Sequence, residues 1–154
     1  MKITFVFLVS LICFQLFACS KNNEVEQTQN SNDTSNTDTT KMKITIASAV
    51  FKATLNNNAT AKAFKARLPM TINMTELNGN EKYFELPNAL PANASNPGTI
   101  QTGDLMLYGS NTLVLFYKTF STSYNYTKLA RIDNPSGLAN ALGSGNITVK
   151  FELE

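Results

Sequence analysis

Phe116, Tyr117, Phe120, Tyr124 and Tyr126 crowd one short segment of the chain, and Lys128 and Arg131 follow directly. Aromatic faces with a few polar tips suit the lining of a pocket for a peptide, a sugar or another small molecule. In such a pocket Tyr117 and Tyr126 would form the walls and Arg131 would hold a carboxylate or a carbonyl, while Gln101 would reach in from a neighbouring loop. The same residue types are also ordinary strand material, buried in a core or laid on a sheet surface. The spacing alone favours that plainer reading.

Composition excludes several other chemistries. The 154-residue chain has no histidine, which removes a Ser-His-Asp triad, imidazole base catalysis and His-ligated zinc. It contains no Gly-x-Gly-x-x-Gly and no phosphate loop, so the common nucleotide fingerprints are absent. The carboxylate pairs Glu81…Glu85 and Glu152…Glu154 stand at even spacings in strand-like segments. Such spacing puts both members on one exposed, solvated face. Neither a metal nor a cofactor is expected. Over residues 42–154, ten Lys/Arg stand against seven Asp/Glu, a net of +3. These cations are scattered, which argues against a nucleic-acid partner.

The elements that must position these residues follow from patterning. "KITIASAVFKATL" (43–55) alternates around Ala47-Ser48-Ala49 and predicts a hairpin. Asn58 is placed to cap a helix over 59–68, with Phe64 and Leu68 on one stripe, Lys65 and Arg67 in the last turn and Pro69 as the stop. Lys62, Lys65 and Arg67 read as a solvated face rather than as an anion or membrane patch. "MTINMTEL" (70–77) and "EKYFEL" (81–86) predict a second hairpin about Asn78-Gly79-Asn80. Residues 87–103 carry three prolines and two glycines and form a long loop, of the kind that often carries function. "DLMLY" (104–108) and "TLVLFYKTF" (112–120) make the clearest hairpin, and the second strand is apolar on both faces. Alternation sends Leu113, Leu115 and Tyr117 inward. It sends Val114 and Phe116 outward beneath a helix or the long loop, with Lys118 at the wet margin, because an unpaired buried cation costs several kcal/mol. Another strand follows within 121–132. A short helix over 138–142 is opened by "DNPSG" and ended by Gly-Ser-Gly, and the last strand covers 146–154. About eight short strands, two short helices and regularly spaced turns make a mainly β chain, a small closed antiparallel β-barrel.

The amino terminus gives an address. Met1 and Lys2 precede "ITFVFLVSLICFQLFA" (3–18), which is uncharged and mostly apolar. That run is shorter than the roughly 20 residues of a membrane span and suits the apolar region of a signal peptide. It ends Leu16-Phe17-Ala18-Cys19, which resembles the lipobox of bacterial lipoproteins. The resemblance implies that residues 1–18 are a signal peptide and that Cys19 receives a diacylglycerol, making membrane lipid a covalent partner. A thiolate is the nucleophile such a transfer needs, and two or three acyl chains anchor a protein that one holds only marginally. Cys13 would leave with the signal, so the mature chain would have neither a free thiol nor a disulfide. Residues 19–41 are then the lipidated cysteine and a flexible polar tether, with Val25 as its one aliphatic and a random-chain reach of about 25 Å. Within it, Asp33-Thr34-Ser35 and Asp38-Thr39-Thr40 are similar to an Asp-Thr-x acceptor of O-glycosylation, a match of three residues. Ser20 after the cysteine leans the address toward the outer membrane of a Gram-negative envelope.

The stretches "NNATAKAFKARLP", "GTIQTGDLMLYGSNTLVLFY" and "DNPSGLANALGSGNITVKFEL" carry a likeness that covers residues 42–154: this part of the chain resembles the cyclophilin-like family of small bacterial and archaeal proteins. The resemblance implies a cyclophilin barrel of eight antiparallel strands with helices over its open ends. True cyclophilins are peptidyl-prolyl isomerases whose site combines an arginine, aromatics and a glutamine, usually with a tryptophan and a histidine. This chain has no tryptophan or histidine, and its arginines stand in "KARLP" and "LARID". No residue of the isomerase site carries over by motif. The expectation is an envelope lipoprotein whose cyclophilin-like barrel is a non-catalytic binding module for a peptide or small molecule. A weak, divergent peptidyl-prolyl isomerase and a structural envelope protein without a ligand are the alternatives.

Overall fold

The computed structural model describes residues 40–154. The expected signal peptide (1–18), Cys19 and nearly all of the expected tether (19–41) lie outside the described residues. Ten strands and two helices follow in order: β1 Lys41–Ile46, β2 Ala49–Leu55, α1 Ala59–Lys65, β3 Met70–Leu77, β4 Glu81–Glu85, β5 Thr99–Ile100, β6 Asp104–Tyr108, β7 Thr112–Phe116, β8 Phe120–Ser121, β9 Tyr126–Ile132, α2 Leu138–Leu142 and β10 Ile147–Leu153. Eight of the strands close a barrel in the order β1-β10-β3-β4-β7-β6-β9-β2, while β5 and β8 pair as a separate ribbon. Every pairing is antiparallel. The expected mainly β, eight-stranded barrel with two short helices is the fold observed. Among the described residues, no helix is long and apolar enough to cross a membrane.

Strand alternation fills the barrel. Met42, Ile44 and Ile46 of β1, Ile72 and Met74 of β3, Leu105 and Leu107 of β6, Leu113 and Leu115 of β7, and Val149 and Phe151 of β10 belong to one buried cluster. The register places the start of β1 beside the ends of β2 and β10. Helix α1 closes that end, with Phe64 edge-on to Phe151 at a centroid distance of 6.0 Å. The other end receives α2, which follows β9 and buries Leu138 and Leu142.

Asn58 caps α1 as its position suggests, its side-chain oxygen accepting the Ala61 amide hydrogen at 2.7 Å. The helix stops at Lys65, three residues short of the expected end at Leu68. The amides of Arg67 and Leu68 reach back three residues, to the carbonyls of Phe64 and Lys65, because the residue before a proline avoids the helical region. Arg67 is thereby freed to tie down the long loop, donating to the carbonyls of Asn88 and Ala89 at 2.8 and 2.7 Å. Further along, Thr60 donates to Pro91 O, and Asn93 N donates to the Thr127 hydroxyl. The 87–103 segment is therefore fastened at many points, and it contributes β5.

β7 is buried on both sides, as its composition requires. Leu113 and Leu115 enter the barrel, while Val114 and Phe116 join Ile100, Met106 and Tyr126 in a second, outer cluster. The β5–β8 ribbon covers that cluster, pairing Ile100 with Phe120, and Lys118 is exposed. Leu115 has no exposed surface and packs deep within the barrel. Leu115→Ala is expected to cost about 2–5 kcal/mol in urea unfolding. A variant that melts with the wild type would mean that the strand faces the other way.

Candidate functional site

Two polar constellations stand out, one inside the barrel and one on its outer wall. The inner one is built on Lys82, which alternation in β4 points inward beside Leu115 of β7 and which has no exposed surface. Its ammonium donates to the carboxylate of Glu76 and to the carbonyls of Gly143 and Gly145, the latter two at 2.8 and 2.7 Å. Those are all the hydrogens it has. The Tyr117 hydroxyl donates to the same carboxylate, 2.8 and 2.9 Å from its two oxygens, and Gly79 N adds a further donor at 2.8 Å. The ring of Tyr117 lies 5.4 Å from Lys82 Nζ, within range of a cation–π contact. Burial pushes the Glu76 carboxyl up, but the Lys82 ammonium, the Tyr117 hydroxyl and the Gly79 amide outweigh it and hold the pKa below its ordinary value. Burial and the Glu76 acceptor push the Tyr117 phenol up to about 12.

The outer constellation is a cleft of about 350 Å³ on the wall formed by β4, β7, β6 and the start of β9. Alternation in "EKYFE" turns Glu81, Tyr83 and Glu85 outward while Lys82 turns in, and these three make one side. Tyr108, Tyr124 and Tyr126 make the other, over a floor that includes Val114. Tyr108 stands edge-on to Tyr124 at 6.1 Å and tilted to Tyr126 at 5.6 Å. Tyr126 in turn meets Phe116 of the outer cluster at 5.4 Å. Glu85 accepts from the Asn111 side-chain amide at 3.1 Å and the Thr112 hydroxyl at 2.9 Å. Burial raises the Glu81 pKa, and the charge of Glu76 adds to the rise.

The four residues singled out from sequence separate in space. Tyr126 lines the cleft. Tyr117, inward-facing as alternation requires, belongs to the Lys82 network. The backbone of Gln101 and the side chain of Arg131 meet at Asp104, whose carboxylate accepts the Gln101 backbone amide hydrogen at 2.8 Å and lies 3.8 Å from Arg131 Nε. Asp104 follows Gly103, whose φ of +90° and 3.1 Å clearance to Ile132 and Pro135 from any added Cβ both call for glycine. This corner is the turn that leads from β5 into β6, and it lies beside the end of β9, where Asp104 pairs with Arg131. Neither arginine lines the cleft. Sequence reasoning passed over Tyr83 and Tyr108 and took the Glu81…Glu85 pair as plain solvated surface. The alternation that aligns them was visible, but the rings facing them come from strands distant in sequence. Among the described residues, no group of three His, Cys, Asp or Glu could hold a metal ion.

A small closed antiparallel barrel, plugged by a buried ion network and carrying an aromatic cleft on its outer wall, defines the class. The chain belongs to the Cyclophilin-like family, whose model matches residues 44–152. Among solved structures it is similar to the solution structure of a hypothetical protein from Archaeoglobus fulgidus, with 19% identity, a TM-score of 0.58 and coverage of 75% of this chain and 95% of that one. At that identity the likeness concerns the fold. No curated protein matches the chain.

The inner network has a pH signature. Tyr117 holds its proton to about 12 when folded, whereas an unfolded tyrosine releases it near 10. Between those values the folded state binds more protons, so stability must fall as pH rises through that window. Glu76 works in the opposite range, its contribution disappearing as pH falls through its depressed pKa. Urea midpoints measured from pH 9 to 12 should decline, and Tyr117→Phe should flatten the decline while costing roughly 1–3 kcal/mol at neutral pH. An unchanged slope in Tyr117→Phe would remove Tyr117 as the cause.

Proposed function

We propose that the protein is an envelope lipoprotein, held by lipid at Cys19 in the outer membrane of a Gram-negative type cell, whose barrel is a non-catalytic binding module. The observation that carries the binding reading is the outer cleft, with Tyr83, Tyr108, Tyr124 and Tyr126 on its walls and a volume of about 350 Å³. That volume falls in the range of small-ligand sites, and rings with polar tips are the chemistry such sites use. Tyr108 and Tyr124 are 45% and 61% exposed, so their faces are open to a ligand. The non-catalytic part rests on the side chains present. The cleft offers carboxylates, phenols and amide and hydroxyl groups, but among the described residues neither a thiol nor an arginine lines it, and the chain has no imidazole. The anchoring part rests on the Leu16-Phe17-Ala18-Cys19 border and the polar segment after it. The ligand is a small molecule or peptide rather than a nucleic acid.

Membrane fractionation tests the anchor: wild type should pellet with the membranes, and Cys19→Ala should not. A Cys19→Ala protein that stays in the pellet would overturn the lipid attachment. A coupled assay on a proline-containing peptide tests the class, with turnover expected at background. Turnover above background that Arg131→Ala abolishes would establish the divergent isomerase instead.

A further inference from the structure

We propose that the outer cleft is built for an aliphatic ammonium ligand, whose positive charge Glu81 receives between tyrosine faces while Glu85 draws a second ammonium at the other end. The inference rests on the cleft being a ligand site and names what the site takes. Its first support is an accounting of carboxylates. Within residues 42–154, Glu76 is paired with Lys82, Asp104 with the Gln101 backbone N–H and Arg131, Asp133 with Lys41 and Thr54, Glu152 with Lys150 and Glu154 with Lys52. Glu85 has two neutral donors, Asn111 and Thr112, which orient the group and leave its charge uncompensated. Glu81 alone has neither an ion pair nor a hydrogen bond among the described residues. It is also half-buried, and burial raises its pKa. A carboxylate removed from water without a partner is a cost to the folded state. That cost is recovered when a cation arrives.

The second support is the composition of the wall. Among the described residues, Glu81 and Glu85 are the only charged ones that line the cleft, although the chain as a whole is positive, at +2. An anion entering would meet repulsion and no donor of charge. The third is the rings. Tyrosine faces carry negative potential, and an ammonium within about 6 Å of such a face is attracted to it. Glu81 and Tyr126 are close enough for the carboxylate's charge to contribute to the raised pKa of the phenol. Glu81 and Glu85 are four residues apart on one strand face, roughly 13 Å along β4 at about 3.3 Å per residue, with Tyr83 between them. A linear chain with an amine at each end matches that layout, whether it is a free polyamine or lysine side chains of a peptide.

The test follows the tyrosine ring resonances of the Asn36–Glu154 portion within the full mature chain by NMR, at matched ionic strength. The probes are spermidine, an acetylated trilysine amide and a neutral proline-containing peptide. Spermidine or the trilysine peptide should shift Tyr83, Tyr108, Tyr124 and Tyr126, and the probe that saturates at lower concentration identifies the source. Glu81→Gln should weaken that binding about tenfold or more, as loss of a charge-assisted hydrogen bond implies, while the unliganded melting temperature stays level or rises. Saturation by spermidine that Glu81→Gln leaves unchanged would overturn the inference. Shifts caused by the neutral peptide but by neither cation would overturn it too and leave the binding-module reading standing. Silence of these rings toward all three probes would remove both.

Discussion

The buried ammonium of Lys82 is the constraint on which the rest of the structure depends. A lysine with no exposed surface loses several kcal/mol of hydration, and its partners recover this only if every hydrogen finds an acceptor. The acceptors come from two distant parts of the chain: Glu76 from the end of β3, and the Gly143 and Gly145 carbonyls from the exit of α2. Gly143 adopts φ 58° and ψ −170°, a conformation essentially restricted to glycine. The Gly-Ser-Gly exit thus fixes where β10 enters the barrel, between β1 and β3. Tyr117 then seals the network from the end of β7.

A well-packed leucine at position 82 would often serve stability as well as this ion pair does. What the lysine adds is register. The side-chain period of a strand is two, so a slip of one residue exchanges its faces. With Lys82 committed inward, Glu81, Tyr83 and Glu85 must face outward, and Tyr83 must lie opposite Val114 of β7. The plug inside the barrel therefore determines the chemistry of the cleft outside it. β7 transmits the same division from its side, with leucines in the barrel and Val114 and Phe116 under the β5–β8 ribbon.

Much of this was legible in the sequence because it follows from periodicity. The two-faced apolarity of "TLVLF", the Asn58 cap and the short helix over 138–142 all rest on local rules, and they stand where those rules put them. The losses are of another kind. β5 and β8 have two residues each and exist only because a fastened loop brings them together. Lys82 carries no local sign of burial: "EKYFE" alternates charge and ring on both faces, and its acceptors lie as far away as Gly145. Tyr117 and Tyr126 are neighbours in sequence, yet the ribbon between them sends one into the barrel and the other onto its wall.

The same distinction explains what family membership conveys. The stretches that carry the resemblance hold residues with architectural tasks. Asn58 and Thr60 bind α1 to the Lys128 and Pro91 carbonyls. Gly103 and Asp104 form the β6 corner, and the last stretch supplies the carbonyls that hold Lys82. By contrast, Glu81, Tyr83, Glu85, Tyr124 and Tyr126 fall outside those stretches, on outward positions of β4 and at the start of β9. They can change without disturbing the barrel interior, since the inward set alone fills it. The scaffold and most of the cleft lining thus rest on different residues, with Tyr108, Thr112 and Val114 the members of the lining that lie inside a shared stretch; a fold does not by itself fix a function. The family accordingly identifies the barrel, while the binding we propose for its cleft rests on the uncompensated carboxylate and the rings around it.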